Sequence, residues 1–214
     1  MNKKGFFVTF EGPEGAGKST QITLLADYFR GLGREVLVTR EPGGTYVGEE
    51  IRRLVKEVKG EEAVCDEAEL LLFTASRAQL MQKVIVPHLE KGGVVICDRF
   101  ADSTTAYQGY ARGWSLKLIN RMHEIAVGAC WPDVTILLDL EFKDSVRRRL
   151  KREADNVSEQ DRLEAEPDQF HIDVRHGFLE IARLDPERVK VVSALGSVAE
   201  VADAVKAEIE KVLK

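Results

Sequence analysis

The chain has 214 residues, 44% of them hydrophobic and 31% charged, which is enough for one well-buried α/β domain and short for two. Its formal net charge of −5 argues against a general binder of nucleic acid or of an anionic membrane, so an anionic ligand needs a local basic site. No apolar run approaches membrane-spanning length, and the apolar stretch that follows Lys3 and Lys4 ends at Glu11, too short for a signal peptide.

Five short apolar runs predict strands, at residues 6–10, 35–39, 94–97, 134–140 and 189–192. Helix-periodic segments separate and follow them, at residues 18–32, 47–58, 67–91, 116–127, 143–153, 167–183 and 197–213. Alternation on this scale predicts a parallel sheet with helices on both faces. Ligands of such sheets bind beyond the carboxyl ends of the strands. The first three strands each end in chemically capable residues: Glu11-Gly12, Thr39-Arg40-Glu41 and Asp98-Arg99. Residues 153–167 break the pattern, being highly charged and poor in large apolar side chains. They are expected to form a mobile surface excursion, since a helix and a strand still follow.

Behind the first strand stands Gly12-Pro13-Glu14-Gly15-Ala16-Gly17-Lys18-Ser19, a full match to G-x-x-x-x-G-K-[ST], with Thr20 and a helix-like run after it. Strand, glycine loop and helix in that order make a cradle for nucleotide phosphates. Its glycines turn backbone N–H groups inward, and the helix N-terminus adds partial positive charge. Lys18 supplies a full charge to the β- and γ-phosphates, and the Ser19 hydroxyl can ligate magnesium. The bland alternative is a glycine-rich turn with an incidental lysine.

Four further motifs follow. Thr39-Arg40-Glu41-Pro42-Gly43-Gly44-Thr45 is a turn with close backbone access, and a purely structural turn is its rival. Phe73 and Arg77 are four apart and share a helical face, so an aromatic could stack on a base while an arginine donates to a ring carbonyl. A core phenylalanine with a surface arginine is the alternative. Asp98-Arg99-Phe100-Ala101-Asp102-Ser103-Thr104-Thr105-Ala106-Tyr107-Gln108 offers an aspartate for a magnesium shell and an arginine for a second phosphate. An internal ion pair competes with that reading. Last, the basic run from Arg147 to Arg152 and Asp161-Arg162-Leu163-Glu164 flank the charged excursion, where arginine could reach a triphosphate or simply face solvent.

Together these motifs resemble the thymidylate kinase family over nearly the whole chain. Carrying that resemblance are Phe10-Glu11-Gly12 with the phosphate loop, residues 39–45, Phe73 with Arg77, residues 96–108, Pro132-Asp133 and Asp161-Arg162. It implies a P-loop NTPase fold with a five-stranded parallel sheet, a small lid at about 148–168, and a homodimer. The reaction implied is transfer of the γ-phosphoryl of ATP to dTMP with Mg²⁺, on the way to dTTP. Residues matching the family's monophosphate pocket are Glu11, Glu41, Pro42, Arg52, Phe73, Arg77, Arg99, Ser103, Thr104, Tyr107 and Gln108. Gly12, Pro13, Glu14, Gly15, Ala16, Gly17, Lys18, Ser19 and Thr20 match the ATP loop. Ser19 and, through water, Asp98 match the metal side. The loop carries Glu14 and Ala16 where some members carry a basic residue. That implies the bacterial type, whose lid supplies arginine: Arg152 or Arg162, with Arg148 behind them. Lys18, Arg99, the lid arginine and Glu11 are the expected catalytic set.

Other readings fit less well. A GTPase or partitioning ATPase lacks support because no Asn-Lys-x-Asp motif occurs, and Asp98-Arg99-Phe100-Ala101 stands where an Asp-x-x-Gly turn is needed. An RNA-binding role for the basic run conflicts with the acidic total and the absence of interleaved aromatics. A sibling kinase acting on another nucleoside or nucleotide is the nearest rival. Cys65, Cys97 and Cys130 form neither a disulfide framework nor a zinc pattern, and His88, His123, His171 and His176 have no metal spacing. A reducing cytoplasm fits that cysteine usage.

Overall fold

The structure, a computed structural model, describes residues 5–58, 60–155 and 162–213. The chain runs β1 (Phe6–Glu11), α1 (Lys18–Gly31), β2 (Val36–Arg40), α2 (Tyr46–Glu57), α3 (Asp66–Leu80), a π turn (Met81–Ile85), α4 (Val86–Glu90) and β3 (Val94–Asp98). It continues through α5 (Ala101–Thr104), a π stretch (Thr105–Ala111), α6 (Leu116–Ala126), β4 (Val134–Asp139), α7 (Phe142–Asp155), α8 (Asp168–Leu184), β5 (Val189–Ser193) and α9 (Val198–Val212). The strands form one sheet in the order β2-β3-β1-β4-β5, every neighbouring pair parallel. Each strand begins and ends within one residue of its expected run.

Burial follows the two-residue period of the strands. Phe6, Val8 and Phe10 pack on one face with Leu25 and Phe29 of α1 and Val205 and Ile209 of α9. Phe7, Val95 and Cys97 pack on the other, against Leu80, Met81, Ile85 and Phe100. A central strand covered on both sides must be apolar throughout, and β1 is buried at every position.

Two helical segments differ from expectation. The run expected at 67–91 is continuous in space but widens into the π turn, where the Val86 N–H bonds the Met81 carbonyl five residues back. Pro87 explains the widening: it has no N–H, and its ring crowds the carbonyl four residues earlier. The second difference is a helix over residues 101–111 that no sequence signal announced. Ser103, Thr104, Thr105 and Gly109 give it weak intrinsic propensity, so packing against α8 must sustain it. Ala106 lies in one cluster with Phe170, Val174 and Phe178. The approach is so close that a Cβ on Gly177 would stand 2.8 Å from Tyr110.

Beneath this helix lies a buried polar network. The Thr9 and Thr135 hydroxyls pair at 2.7 Å. Arg188 donates to both Asp102 oxygens, at 2.6 and 3.0 Å, donates to Thr135 at 2.9 Å, and lies over the Trp131 ring. Arg188→Ala leaves the Asp102 carboxylate buried without its cation, and should cost about 3–5 kcal/mol of stability. Urea unfolding at neutral pH measures it, and a loss below about 1 kcal/mol would deny the network that weight.

Candidate active site

Parallel pairing sets the carboxyl ends of three strands level: Asp98 stands beside Phe10 on one side and Arg40 on the other. The loops leaving those ends enclose a cavity of about 640 Å³.

The glycine loop forms one end. Gly12 has φ +130°, and a Cβ there would meet the Leu138 carbonyl at 2.3 Å. A residue with a side chain could not hold the loop this close to β4. Lys18, at the start of α1, is buried and donates to the Gly12 and Pro13 carbonyls at 3.1 and 3.0 Å. Burial lowers its affinity for a proton, the Arg99 charge adding to that and Glu14 opposing it. Glu14 pairs with Arg99 at 2.8 Å, and its carboxyl is held far below the usual range by Lys18 and then Arg99, against the effect of burial. From outside, Ser145 of α7 donates to the Glu14 carbonyl at 2.7 Å. Arg148 reaches the Gly15 carbonyl at 3.3 Å and the Ala194 carbonyl at 2.7 Å.

The loop after β3 forms the middle. Arg99 has φ +66°, the one non-glycine residue with positive φ among those described, a conformation that needs support from its surroundings. Glu11 supplies it. Its buried carboxylate accepts from the Phe100 N–H at 2.8 Å, the Ser103 N–H at 3.1 Å and the Ser103 hydroxyl at 2.6 Å. Burial, reinforced by Asp102, raises its pKa to about 8 in spite of Arg99 and those donors. The Arg99 guanidinium lies over the Tyr107 ring, 5.3 Å from its centre. Asp98 closes β3, and its Oδ1 is buried without a hydrogen-bond partner.

The far end is lined by Phe73, Arg77, Thr104, Tyr107 and Gln108. Arg77 is buried and donates to Glu41 at 2.9 Å, to the Phe100 carbonyl at 3.1 Å and to the Thr104 hydroxyl at 2.9 Å. Its Nη1 has no partner. Burial raises the Glu41 carboxyl although Arg77 opposes the shift. Arg52 donates to the Pro42 carbonyl at 3.1 Å.

One cavity thus brings together Glu14, Gly15, Gly17, Lys18, Ser19, Thr20, Glu41, Pro42, Arg52, Phe73, Arg77, Asp98, Arg99, Ser103, Thr104, Tyr107, Gln108 and Arg148. Glu11, Gly12, Pro13 and Ala16 are not among the residues that line it. Arg162 is elsewhere. Its Nη2 pairs with Glu69, and its Nε donates to the Val55 carbonyl at 3.2 Å. Arg152 lies in α7 four residues after Arg148, its side chain outside the described residues, as are Asp161 and the stretch 156–160 of the expected lid. Lys56 and His171 line the cavity without having been expected. Lys56 could have been found, one helical turn after Arg52 on α2. His171, stacked on Phe142 with ring centres 5.9 Å apart, carried no such signal.

The chain matches the thymidylate kinase family model over residues 10–205. It is 44% identical to the thymidylate kinase of Desulfosudis oleivorans over 96% of this chain and 97% of that protein. It is 47% identical to that of Thermomicrobium roseum over 98% and 96%. A crystal structure of thymidylate kinase from Ehrlichia chaffeensis superposes with a TM-score of 0.77 at 33% identity, over 96% of this chain and 98% of that one.

The state of Glu11 has a consequence for stability. Between its ordinary value of 4.5 and about 8, the folded chain holds a proton that the unfolded chain has released. Stability therefore falls as pH rises through that window. Glu11→Gln keeps the shape and the acceptor oxygen but has no such proton. Urea unfolding at pH 5.5 and 8.0 should show a steeper decline for the parent than for the variant. Parallel declines would contradict the raised pKa.

Proposed function

The chain belongs to the thymidylate kinase family, and we propose that its cavity holds the two nucleotides of that reaction end to end. The enzyme transfers the γ-phosphoryl group of ATP to dTMP, giving dTDP and ADP, within nucleotide biosynthesis. The observation that carries the site assignment is that a single cavity is lined by Lys18 at one end and by Phe73 and Arg77 at the other.

ATP lies on the loop from Gly12 to Thr20, whose N–H groups and helix terminus favour its phosphates. The dTMP base lies against Phe73. The unpartnered Nη1 of Arg77 donates to a ring carbonyl, beside Thr104 and Gln108. Tyr107 crowds the sugar edge where a ribose hydroxyl would sit. Arg99, with Arg52 near Pro42, holds the acceptor phosphate. Glu11 acts through the loop it grips, keeping Arg99 and Ser103 in place. Glu41 does the same for Arg77.

The nucleophile is already an anionic phosphate oxygen, so no general base is needed. Catalysis is then positioning plus neutralisation of charge by Lys18, Arg99 and an arginine of α7. Arg148 is the arginine held at the glycine loop, with Arg152 one helical turn further on, whereas the guanidinium of Arg162 is committed to Glu69. Residues 148–155 and 162–168, the described parts of the expected lid, belong to that lid within one kinase domain. The buried, unpartnered Asp98 oxygen and the Ser19 hydroxyl suit Mg²⁺, Asp98 through water. When bound, the ion would supply charge neutralisation to the triphosphate.

A homodimer and a cytoplasmic location belong to the same proposal. Leu71, Leu118 and Ile125 are exposed apolar side chains on α3 and α6, and a sedimentation experiment decides between monomer and dimer. Cys65, Cys97 and Cys130 are all free thiols.

A coupled assay of ADP release with dTMP, dUMP, UMP, dCMP, AMP and GMP tests the acceptor, and equal rates on dTMP and dCMP would sink the reading. In that assay Lys18→Ala should lower kcat by at least about 10²–10³-fold while calorimetry finds dTMP affinity largely intact. Near-parental turnover would remove Lys18 from its role. Arg148→Ala should lower kcat by about two to four orders of magnitude, and a loss below about threefold would move that role to Arg152.

A further inference from the structure

Glu69 lies on α3 and is fully buried, yet it is not on the cavity surface. Its two oxygens are nonetheless crowded with donors. Oε1 accepts from Gln108 Nε2 at 2.8 Å and Arg112 Nε at 3.0 Å. Oε2 accepts from Arg112 Nη2 at 3.3 Å and from Arg162 Nη2. Each donor comes from a different distance along the chain, so the carboxylate is a joint between segments.

Its chemistry fixes more than position. An ionised carboxylate only accepts hydrogen bonds, so the end of the Gln108 amide turned toward it is the NH₂. The carbonyl oxygen is left for the cavity that Gln108 lines. A carbonyl there matches the N3–H of a thymine ring and opposes the bare N3 of cytosine. The other arm holds a wall. The Arg162 N–H donates to the Lys56 carbonyl at 3.3 Å, and Arg112 ties Glu166 at 2.7 Å. Residues 162–166 are thus fastened at both ends, and Leu163 and Glu164 between them line the cavity.

We propose that Glu69 is the positioning residue of the acceptor pocket, fixing which end of the Gln108 amide meets the base and seating the wall at residues 162–166. This rests on the cavity being the dTMP site. Its test compares Glu69→Gln and Arg162→Gln in the full chain. A glutamine at 69 offers either an oxygen or an NH₂, so Gln108 is free to turn over. Glu69→Gln should raise KM for dTMP by about tenfold or more and lower the dTMP-over-dCMP preference in kcat/KM by at least about fivefold. The Kd for ADP should stay within about twofold, because the glycine loop is untouched. Arg162→Gln should raise KM for dTMP but leave that preference unchanged, since Gln108 is still held.

A merely structural Glu69 would lower the unfolding midpoint and move neither KM nor the preference, and that result overturns the proposal. So does an Arg162→Gln enzyme with unchanged KM for dTMP, which decides the matter even if Glu69→Gln does not fold. A parent enzyme inactive on dTMP would instead strike down the site reading beneath both.

Discussion

The carboxylate of Glu11, buried at the end of the central strand, holds the site in shape. Three donors from the loop after β3 converge on it, and that loop contains Arg99 in a left-handed backbone conformation. Without a fixed acceptor, residues 99–103 would relax to a common geometry, and the Arg99 guanidinium would leave its position between Glu14 and the Tyr107 ring. The arrangement has a cost. Burying a carboxylate beside Asp102 disfavours its charge strongly enough to outweigh the Arg99 cation and all three donors. A strained arginine and a desolvated carboxylate stabilise one another only as a pair.

The same reasoning explains Glu14. Lys18, buried, and Arg99, half-buried, are two cations meeting in one partly desolvated space, where repulsion is strong. Glu14 is the internal anion that offsets both, which is why its own proton is held so weakly. A phosphate entering as proposed would therefore meet an arginine already paired. It gains the difference between two partners rather than the full interaction, and a doubly charged phosphate outcompetes a single carboxylate. The acidic total charge of the chain is compatible with an anionic ligand because its cations are gathered locally.

What could be read from the sequence was what depends on near neighbours. Strands at 6–10 and 94–97 follow from runs of apolar residues, and the glycine loop follows from spacing within eight positions. What could not be read depends on distant partners. Helix 101–111 exists because α8 packs on it, against its own weak propensity. Arg188 meets Asp102 across 86 positions, and Arg162 meets Glu69 across 93. Arg148 and Arg162 look equivalent as letters, both basic residues beside a charged stretch. The fold sends one to the Gly15 carbonyl and the other to a buried carboxylate. No local pattern contains that information.

The two halves of the cavity are consequently built by different means. The end proposed for ATP relies on backbone: glycines, a helix terminus and one lysine, all indifferent to which base a phosphate carries. The end proposed for the acceptor relies on side chains, and three of its parts are held by a buried glutamate. Glu11 sets the Arg99 loop, Glu41 sets Arg77, and Glu69 sets Gln108. A guanidinium or an amide left unrestrained would turn to suit whatever base arrived, and discrimination would be lost. Fixing them requires acceptors that cannot themselves switch role. An ionised carboxylate, as at Glu69 between Arg112 and Arg162, meets that need where a hydroxyl or an amide does not, since it accepts and never donates. Desolvation works against the charge of Glu11 and Glu41, yet it also strengthens the hydrogen bonds that hold their donors still. On the proposed assignment, selectivity for one base would reside one layer behind the surface that touches it.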